Sequence, residues 1–233
     1  MIFISPPFGN YINIDNTISI KGSYTLYPRD GLLFQIIKTL RYSFTYSGWI
    51  NKIGLRNPGI DYAIKNYDNK SIVSIAILNK EEIPILLRKI PDNMNIEINI
   101  SCPNTDKKMI NDNIECFINP KRKWCILKLS PYCDIKLIDT YYNQGFRQFH
   151  CCNTLPVKEG GLSGKSLIPY SVNLIQNIKN KYSDTIIIGG GGIRDVNDII
   201  TYNKAGAIHY SISTLFFNPF LSYLFYKNYI NRP

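Results

Sequence analysis

The segment Asn99-Ile-Ser-Cys-Pro-Asn104 places a thiol, a hydroxyl and two carboxamides just after Met94 to Ile98, whose alternation reads as a β-strand. A strand end can hold a reactive side chain rigidly over a pocket, and the proline stops the strand from continuing. A second segment, Ile186-Ile-Ile-Gly-Gly-Gly-Gly-Ile193, ends another strand in glycines whose bare amides suit a phosphate. Together they suggest an enzyme holding a phosphorylated cofactor beside a cysteine that moves a proton. Each piece has a plainer reading. A lone cysteine is more often a packing thiol, although burying the amides of Asn99 and Asn104 without a ligand is unfavourable. The glycines could form only a tight turn. Gly160-Gly-Leu-Ser-Gly-Lys165 lacks the spacing of a Walker A loop, so ATP is not indicated.

The elements that must position these groups alternate. Strands are expected at Ile2–Ser5, Thr17–Lys21, Ser71–Ile77, Ile96–Ser101, Ile126–Ser130, Gln148–Cys152, Thr185–Gly189 and His209–Ser213. Helical patterns follow most of them, at Glu81–Ile90, Asn111–Ile118, Asp134–Asn143, Tyr170–Lys181, Val196–Lys204 and Phe220–Ile230. Alternation of this kind favours a parallel sheet, and eight strands favour closure into a (β/α)8 TIM barrel. The stretch from Tyr24 to Asn57 interrupts the pattern and reads as an inserted hairpin and loop near residues 24–57. No linker or repeat divides the chain, so residues 1–233 are expected to form one α/β domain.

In such a barrel, catalytic groups gather at the C-terminal strand ends. Those ends carry Ser5, Lys21, Ser101-Cys102, Lys128, Asn153-Thr154, Gly189–Gly192 and Ser213-Thr214. Two lysines, a cysteine and phosphate-compatible turns suit an anionic substrate and a phosphate-bearing cofactor. Lys21 and Lys128 could equally snorkel to solvent.

The chain has 233 residues, of which 45% are hydrophobic and 19% charged, which excludes a disordered protein. Its formal charge of +10 favours anionic ligands, yet the basic residues are scattered. The densest run, Lys121-Arg122-Lys123, reads as a solvated turn rather than an RNA patch. The N-terminal apolar run is too short for a signal peptide or membrane helix, so a cytoplasmic protein without membrane attachment is expected. None of the six cysteines forms a CxxC pair, so no metal site is expected. Cys151 and Cys152 read as buried thiols facing opposite sides of a strand.

These residues resemble those of the dihydroorotate dehydrogenases, flavin-dependent barrels of pyrimidine synthesis. The resemblance rests on Lys21-Gly-Ser-Tyr-Thr-Leu26, Asn51-Lys-Ile-Gly-Leu-Arg-Asn-Pro-Gly59, Asn99-Ile-Ser-Cys-Pro-Asn104, Leu127-Lys-Leu-Ser-Pro131, Asn153-Thr154, Gly160-Gly-Leu-Ser-Gly-Lys165 and Ile187-Ile-Gly-Gly-Gly-Gly-Ile193. It implies FMN-dependent oxidation of dihydroorotate to orotate, with Cys102 as the base at C5 and hydride transfer from C6 to flavin N5. A cysteine here points to the class 1 enzymes. The resemblance further implies that Lys21 touches both flavin and the orotate carboxylate. Asn51, Asn99, Asn104, Asn153 and Thr154 would hold the pyrimidine ring with the backbone of Ile53, Gly54 and Leu55. Lys128 would sit at flavin N1 and O2. Ser5, Gly22, Asn99, Cys152, Gly164, Gly191, Gly192, Ser213 and Thr214 would complete the FMN site.

Class 1 relatives suggest a homodimer, and use of NAD would require a separate iron–sulfur flavoprotein partner. Two other functions compete. A flavoenzyme like the tRNA-dihydrouridine synthases would use the basic charge, although no RNA-binding domain is evident, which disfavours nucleic acid. A non-catalytic barrel would explain proline and serine where the family carries glycine, at Pro6 and Ser213.

Overall fold

The computed structural model describes residues 1–100 and 113–230. Within these residues lie the strands β1 (Ile2–Ile4), β2 (Thr17–Tyr24), β3 (Arg41–Ser43), β4 (Gly48–Asn51), β5 (Ile72–Ile75), β6 (Ile96–Asn99), β7 (Cys125–Leu129), β8 (Gln148–Cys151), β9 (Leu155–Val157), β10 (Gly160–Gly164), β11 (Ile186–Gly190) and β12 (His209–Ile212). The helices are α1 (Leu32–Thr39), α2 (Ile60–Lys65), α3 (Glu82–Lys89), α4 (Ile135–Asn143), α5 (Ile168–Lys181), α6 (Val196–Ala205) and α7 (Pro219–Phe225). Eight strands close in the order β1-β12-β11-β8-β7-β6-β5-β2, all paired in parallel. This is the (β/α)8 barrel expected from the alternation, and each anticipated strand position is filled.

The strands are apolar because both of their faces are buried. Outward-facing residues such as Ile75, Ile98, Leu127, Phe149 and Ile187 pack against the helices. Inside, Phe3, Ile20, Ile72, Trp124, Ile126 and Ile188 form a separate plug near the N-terminal strand ends. The plug floors the barrel, so among the described residues the room for a ligand lies at its C-terminal end.

The region from 24 to 57 does contain the hairpin, β3 with β4, but it does not stand alone. Strands β9 and β10 pair beside it, giving a four-stranded antiparallel sheet β3-β4-β10-β9 across the barrel mouth. Gly160–Gly164 is therefore a strand. A Cβ at Gly48 would come within 2.6 Å of the Ser163 carbonyl, so β4 and β10 need glycine to approach this closely. The ring of Trp49 on β4 stacks on Phe217, in the turn after β12, at a centroid distance of 4.2 Å.

Several elements differ from the sequence expectations. Helix α1 was not anticipated because Leu32, Leu33, Phe34, Ile36 and Ile37 put apolar groups on both faces, which hides the helical stripe. Helix α2 is too short to show a period. The helix expected over Asn111–Ile118 is a 3-10 turn at Ile114–Phe117 in its described part. The last helix ends at Phe225 and continues as a π-type turn over Tyr226–Ile230.

Helix α6 secures the glycine end of β11. Asp195 caps it by accepting from the amides of Asn197 and Asp198. One turn of helix further in, the fully buried Tyr202 hydroxyl lies 2.9 Å from the Gly190 carbonyl and 2.7 Å from that of Gly191. Gly189 leaves room for that ring, since a Cβ there would lie 2.6 Å from Tyr202 Cδ1. Tyr202→Phe removes the hydroxyl from the Gly191 carbonyl, while the Gly190 carbonyl still accepts from Ser171 Oγ at 2.8 Å. It should cost about 1–3 kcal/mol and lower the thermal midpoint by roughly 2–10 °C. Differential scanning calorimetry checks this, and an unchanged midpoint would remove the hydroxyl from the support of the turn.

Candidate functional site

Above the apolar plug, the inward positions of successive strands turn polar. Ser74 on β5, Glu97 and Asn99 on β6, Lys128 on β7 and His150 on β8 share the inner face, as the two-residue period requires. Glu97 has no exposed surface. Its carboxylate accepts from Ser74 Oγ at 2.9 Å and from His150 Nδ1 at 2.6 Å, and Lys128 Nζ lies 3.7 Å away. Burial alone would push its pKa up. The Lys128 charge, with the hydrogen bonds from His150 and Ser74, outweighs that and holds it below the usual carboxylate range. Burial conversely keeps the His150 pKa below the usual imidazole range despite Glu97. The pair is thus a carboxylate and a neutral imidazole whose Nδ1–H donates to it.

A hydrogen-bond chain runs sideways from this cluster. Ser23 and Ser74 hydroxyls lie 2.8 Å apart, Asn99 Nδ2 donates to Ser23 Oγ, and Asn153 Nδ2 donates to Asn99 Oδ1 at 3.1 Å. The chain orients two of the expected carboxamides before any ligand arrives.

These groups face a cavity of about 760 Å³ between the strand ends and the four-stranded sheet. That volume lies within the ~300–1,000 Å³ range of small-molecule and cofactor sites. Asn51, Ile53, Gly54 and Leu55 line it from the roof, and Asn99, Asn153 and Thr154 from the barrel. Ser5, Gly22, Lys128 and Cys152 line it too, as do Gly191, Gly192, Ser213 and Thr214 at the far end. The cysteine pair is buried as expected, and Cys152 shares a 2.8 Å contact with Ser171 Oγ. Burial pushes the Cys152 thiol up to about 12, so it stays protonated. Cys102 and Asn104 lie outside the described residues.

Two expected residues do not reach the cavity. Lys21 points outward and pairs with Asp68 at 2.7 Å. Its neighbour Ile20 occupies the barrel plug, so alternation turns Lys21 away. The pairing of β2 with β5 then shifts register between Lys21 and Tyr24, and this bulge brings Ser23 inward instead. Gly22 allows it, with φ of 119° and no room for a Cβ beside the Ser74 carbonyl. Gly164 is the second residue. It lies behind Gly192, where a Cβ on Gly192 would approach the Gly164 carbonyl to 2.5 Å.

Glu97 and His150 were missed by the sequence reading, as were Ser23, Trp49 and Phe217. Glu97 and His150 left a signal, since each is an ionisable residue in the inward phase of an otherwise apolar strand. Ser23 left none, because the bulge that turns it inward is not a periodic feature.

Gly191 and Gly192 have φ of 101° and 81°, a left-handed path that glycine favours, and both border the cavity end. Thr214 also borders this end, while Ser213 Oγ donates to the Pro6 carbonyl at 2.9 Å. This end suits a phosphate, and the amide-rich opposite end suits a ring with alternating donors and acceptors. A (β/α)8-barrel enzyme with a nucleotide-type cofactor beside a small polar ring is the class defined by fold and site.

The comparisons with known proteins narrow the class. Residues 121–223 match the family model for dihydroorotate dehydrogenase. The chain is 30% identical over 219 residues to the catalytic subunit of dihydroorotate dehydrogenase B (NAD(+)) of Oceanobacillus iheyensis, covering 78% of this chain and 72% of that protein. The corresponding subunit of Lachnoclostridium phytofermentans is 29% identical, with 77% and 71% covered. A solved structure of the dihydroorotate dehydrogenase of Eimeria tenella in complex with ferulenol superposes with a TM-score of 0.71 over 94% of this chain and 77% of that one, at 16% identity. The chain belongs to the dihydroorotate dehydrogenase family. That family is flavin-dependent, and the phosphate-compatible turn and Lys128 fit such a group.

The buried pair makes a prediction about acid. Both folded-state pKa values lie below their unfolded counterparts, so in acid the unfolded chain binds the extra protons. Stability contributed by His150 should fall as pH drops below ~6.5, and that from Glu97 as it drops below ~4.3. Thermal midpoints of the ligand-free protein measured between neutral and acid pH check this. Midpoints unchanged below neutrality would show that the pair does not carry acid sensitivity.

Proposed function

We propose that the chain oxidises dihydroorotate to orotate with FMN as the bound flavin. The observation that carries this reading is the meeting in one cavity of Asn51, Asn99 and Asn153 with Lys128 and the Gly191-Gly192 turn. Each carboxamide can donate and accept, which matches a pyrimidine ring bearing N–H and C=O groups in alternation. Lys128 supplies positive charge where a reduced flavin accumulates negative charge. The amides of Gly191 and Gly192, with Thr214, hold the ribityl phosphate, and Gly164 supports the turn from behind. Ser5, Gly22 and Cys152 border the flavin.

Bound FMN supplies the hydride acceptor. The chain's own part is to orient the ring, exclude water beneath the four-stranded roof and take a proton from C5. Cys102, at the end of the family-like segment after β6, is the proposed base, with Asn104 beside it holding the ring. A free thiol titrates near ~8.5, so the base works best once its thiolate is favoured. The printed names of the relatives carry NAD(+) and "catalytic subunit". This supports delivery of electrons to a separate iron–sulfur flavoprotein partner, and the site itself does not select the acceptor. Among the described residues no helix is long and apolar enough to cross a membrane. A cytoplasmic homodimer completes the proposal.

The purified protein should be yellow, or become so with FMN, and its visible flavin band should bleach when dihydroorotate is added under anaerobic conditions. A protein that takes up no FMN would end this reading. Cys102→Ser should keep the flavin and slow the bleaching by about 100-fold or more, within the range expected of a lost general base. Lys21→Ala should leave orotate affinity within about threefold, because the Asp68 pair is a surface interaction worth ~0–1 kcal/mol. A loss of 100-fold in orotate affinity on that substitution would restore Lys21 to the site.

A further inference from the structure

The proposed function leaves His150 without a role. It has 1% of its surface exposed, lines the cavity, and lies directly beside Lys128 in the β7–β8 ladder. Its ring is fixed from one side. Nδ1 donates to Glu97 at 2.6 Å, and Glu97 is itself held by Ser74 and Lys128. With Nδ1 carrying the hydrogen of a neutral ring, Nε2 is an acceptor. No hydrogen bond from a described residue reaches Nε2.

The neighbouring backbone shows where that atom points. A Cβ on Gly190 would lie 3.1 Å from His150 Nε2 and 2.9 Å from Ser211 Cβ. Glycine at this place on β11 therefore leaves Nε2 uncovered within the polar layer. Nε2 opens to the cavity rather than being sealed in the barrel, so a ligand N–H can take the place of solvent there. Its immediate neighbour Lys128 is the opposite kind of group, a cation that only donates.

We propose that His150 Nε2 accepts the N3–H of the flavin pyrimidine edge, next to Lys128 donating to N1 and O2 of the same edge. The inference rests on the flavin reading above. An acceptor beside a donor matches O2 beside N3–H, so the two adjacent strand positions recognise two adjacent ring positions. Glu97 acts through both residues. It orients the imidazole and fixes its tautomer, which makes it a positioning residue, whereas His150 touches the cofactor. Burial, which keeps the ring neutral, keeps Nε2 available as an acceptor.

The test compares FMN with 3-deaza-FMN, in which a CH2 group that donates no hydrogen bond replaces N3–H. The flavin-free protein is titrated with each, and binding is followed by quenching of flavin fluorescence. The wild type should prefer FMN by about tenfold, the value of one hydrogen bond whose loss strands an acceptor. In His150→Asn, an amide N–H stands near the place of Nδ1 and keeps the bond to Glu97 while Nε2 is gone. Its preference should fall to within about twofold. The chain has two histidines, so the 15N signals of the wild type are readily assigned. The His150 Nε2 resonance should shift to a hydrogen-bonded position with FMN and not with 3-deaza-FMN. That measurement needs no variant to fold.

Equal discrimination by both proteins, or an Nε2 resonance that responds alike to the two flavins, would overturn the role of His150. Failure of the wild type to bind either flavin would instead overturn the flavin reading itself. A His150→Asn protein that loses thermal stability but keeps its preference for FMN would mark the residue as structural and also overturn the inference.

Discussion

A carboxylate with no exposed surface must be surrounded by donors or it will not stay charged, and Glu97 is surrounded on every side that counts. Ser74, His150 and Lys128 come from three different strands, and each satisfies it only in the observed register. Slip β7 by one residue and the ammonium leaves the barrel interior. The cost of burying this charge therefore pins the strand that carries Asn99 and the one that leads into Cys152. A wholly apolar layer could pack as well or better, since buried ion pairs rarely add net stability. Here the polar layer supplies specific geometry at the point where the barrel stops being a core and becomes a site.

Much of the barrel was legible in the sequence because parallel strands buried on both faces leave short apolar runs at regular intervals. The strand ends were legible too and brought Lys128 to notice, while Asn99 and Cys152 entered the flavin site through the family resemblance. Lys21 sits at an expected strand end yet obeys the two-residue alternation, pointing away because Ile20 faces inward; Ser23 shows where the alternation itself fails. A period of two assumes an unbroken ladder, and the bulge at Gly22 and Ser23 changes which residues face inward. Nothing in local composition announces a bulge except a glycine. Asn10 holds that bulge by accepting from the Gly22 amide at 2.8 Å, a contact between residues no pattern would pair.

The roof was harder to read for a related reason. Its sheet joins β3 and β4 to β9 and β10, segments more than a hundred residues apart in the chain. The glycine-rich β10 has none of the β-branched composition of a strand, since its role is to let two backbones approach. Helix α1 likewise lacks a polar face. Leu32, Ile36 and Leu40 line the cavity while Leu33, Phe34 and Ile37 stand exposed on the other side.

The stack of Trp49 on Phe217 joins this roof to the turn after the last barrel strand, and both rings line the cavity. Aromatic pairs of this kind contribute about 0.5–1.5 kcal/mol beyond their buried area. A molecule lying beneath them is covered by the roof and the final turn at once. The residence time of a bound ligand is then governed in part by two side chains that need make no polar contact with it. Affinity and release can in that way be tuned separately, the first from the barrel floor and the second from the hinge of two rings.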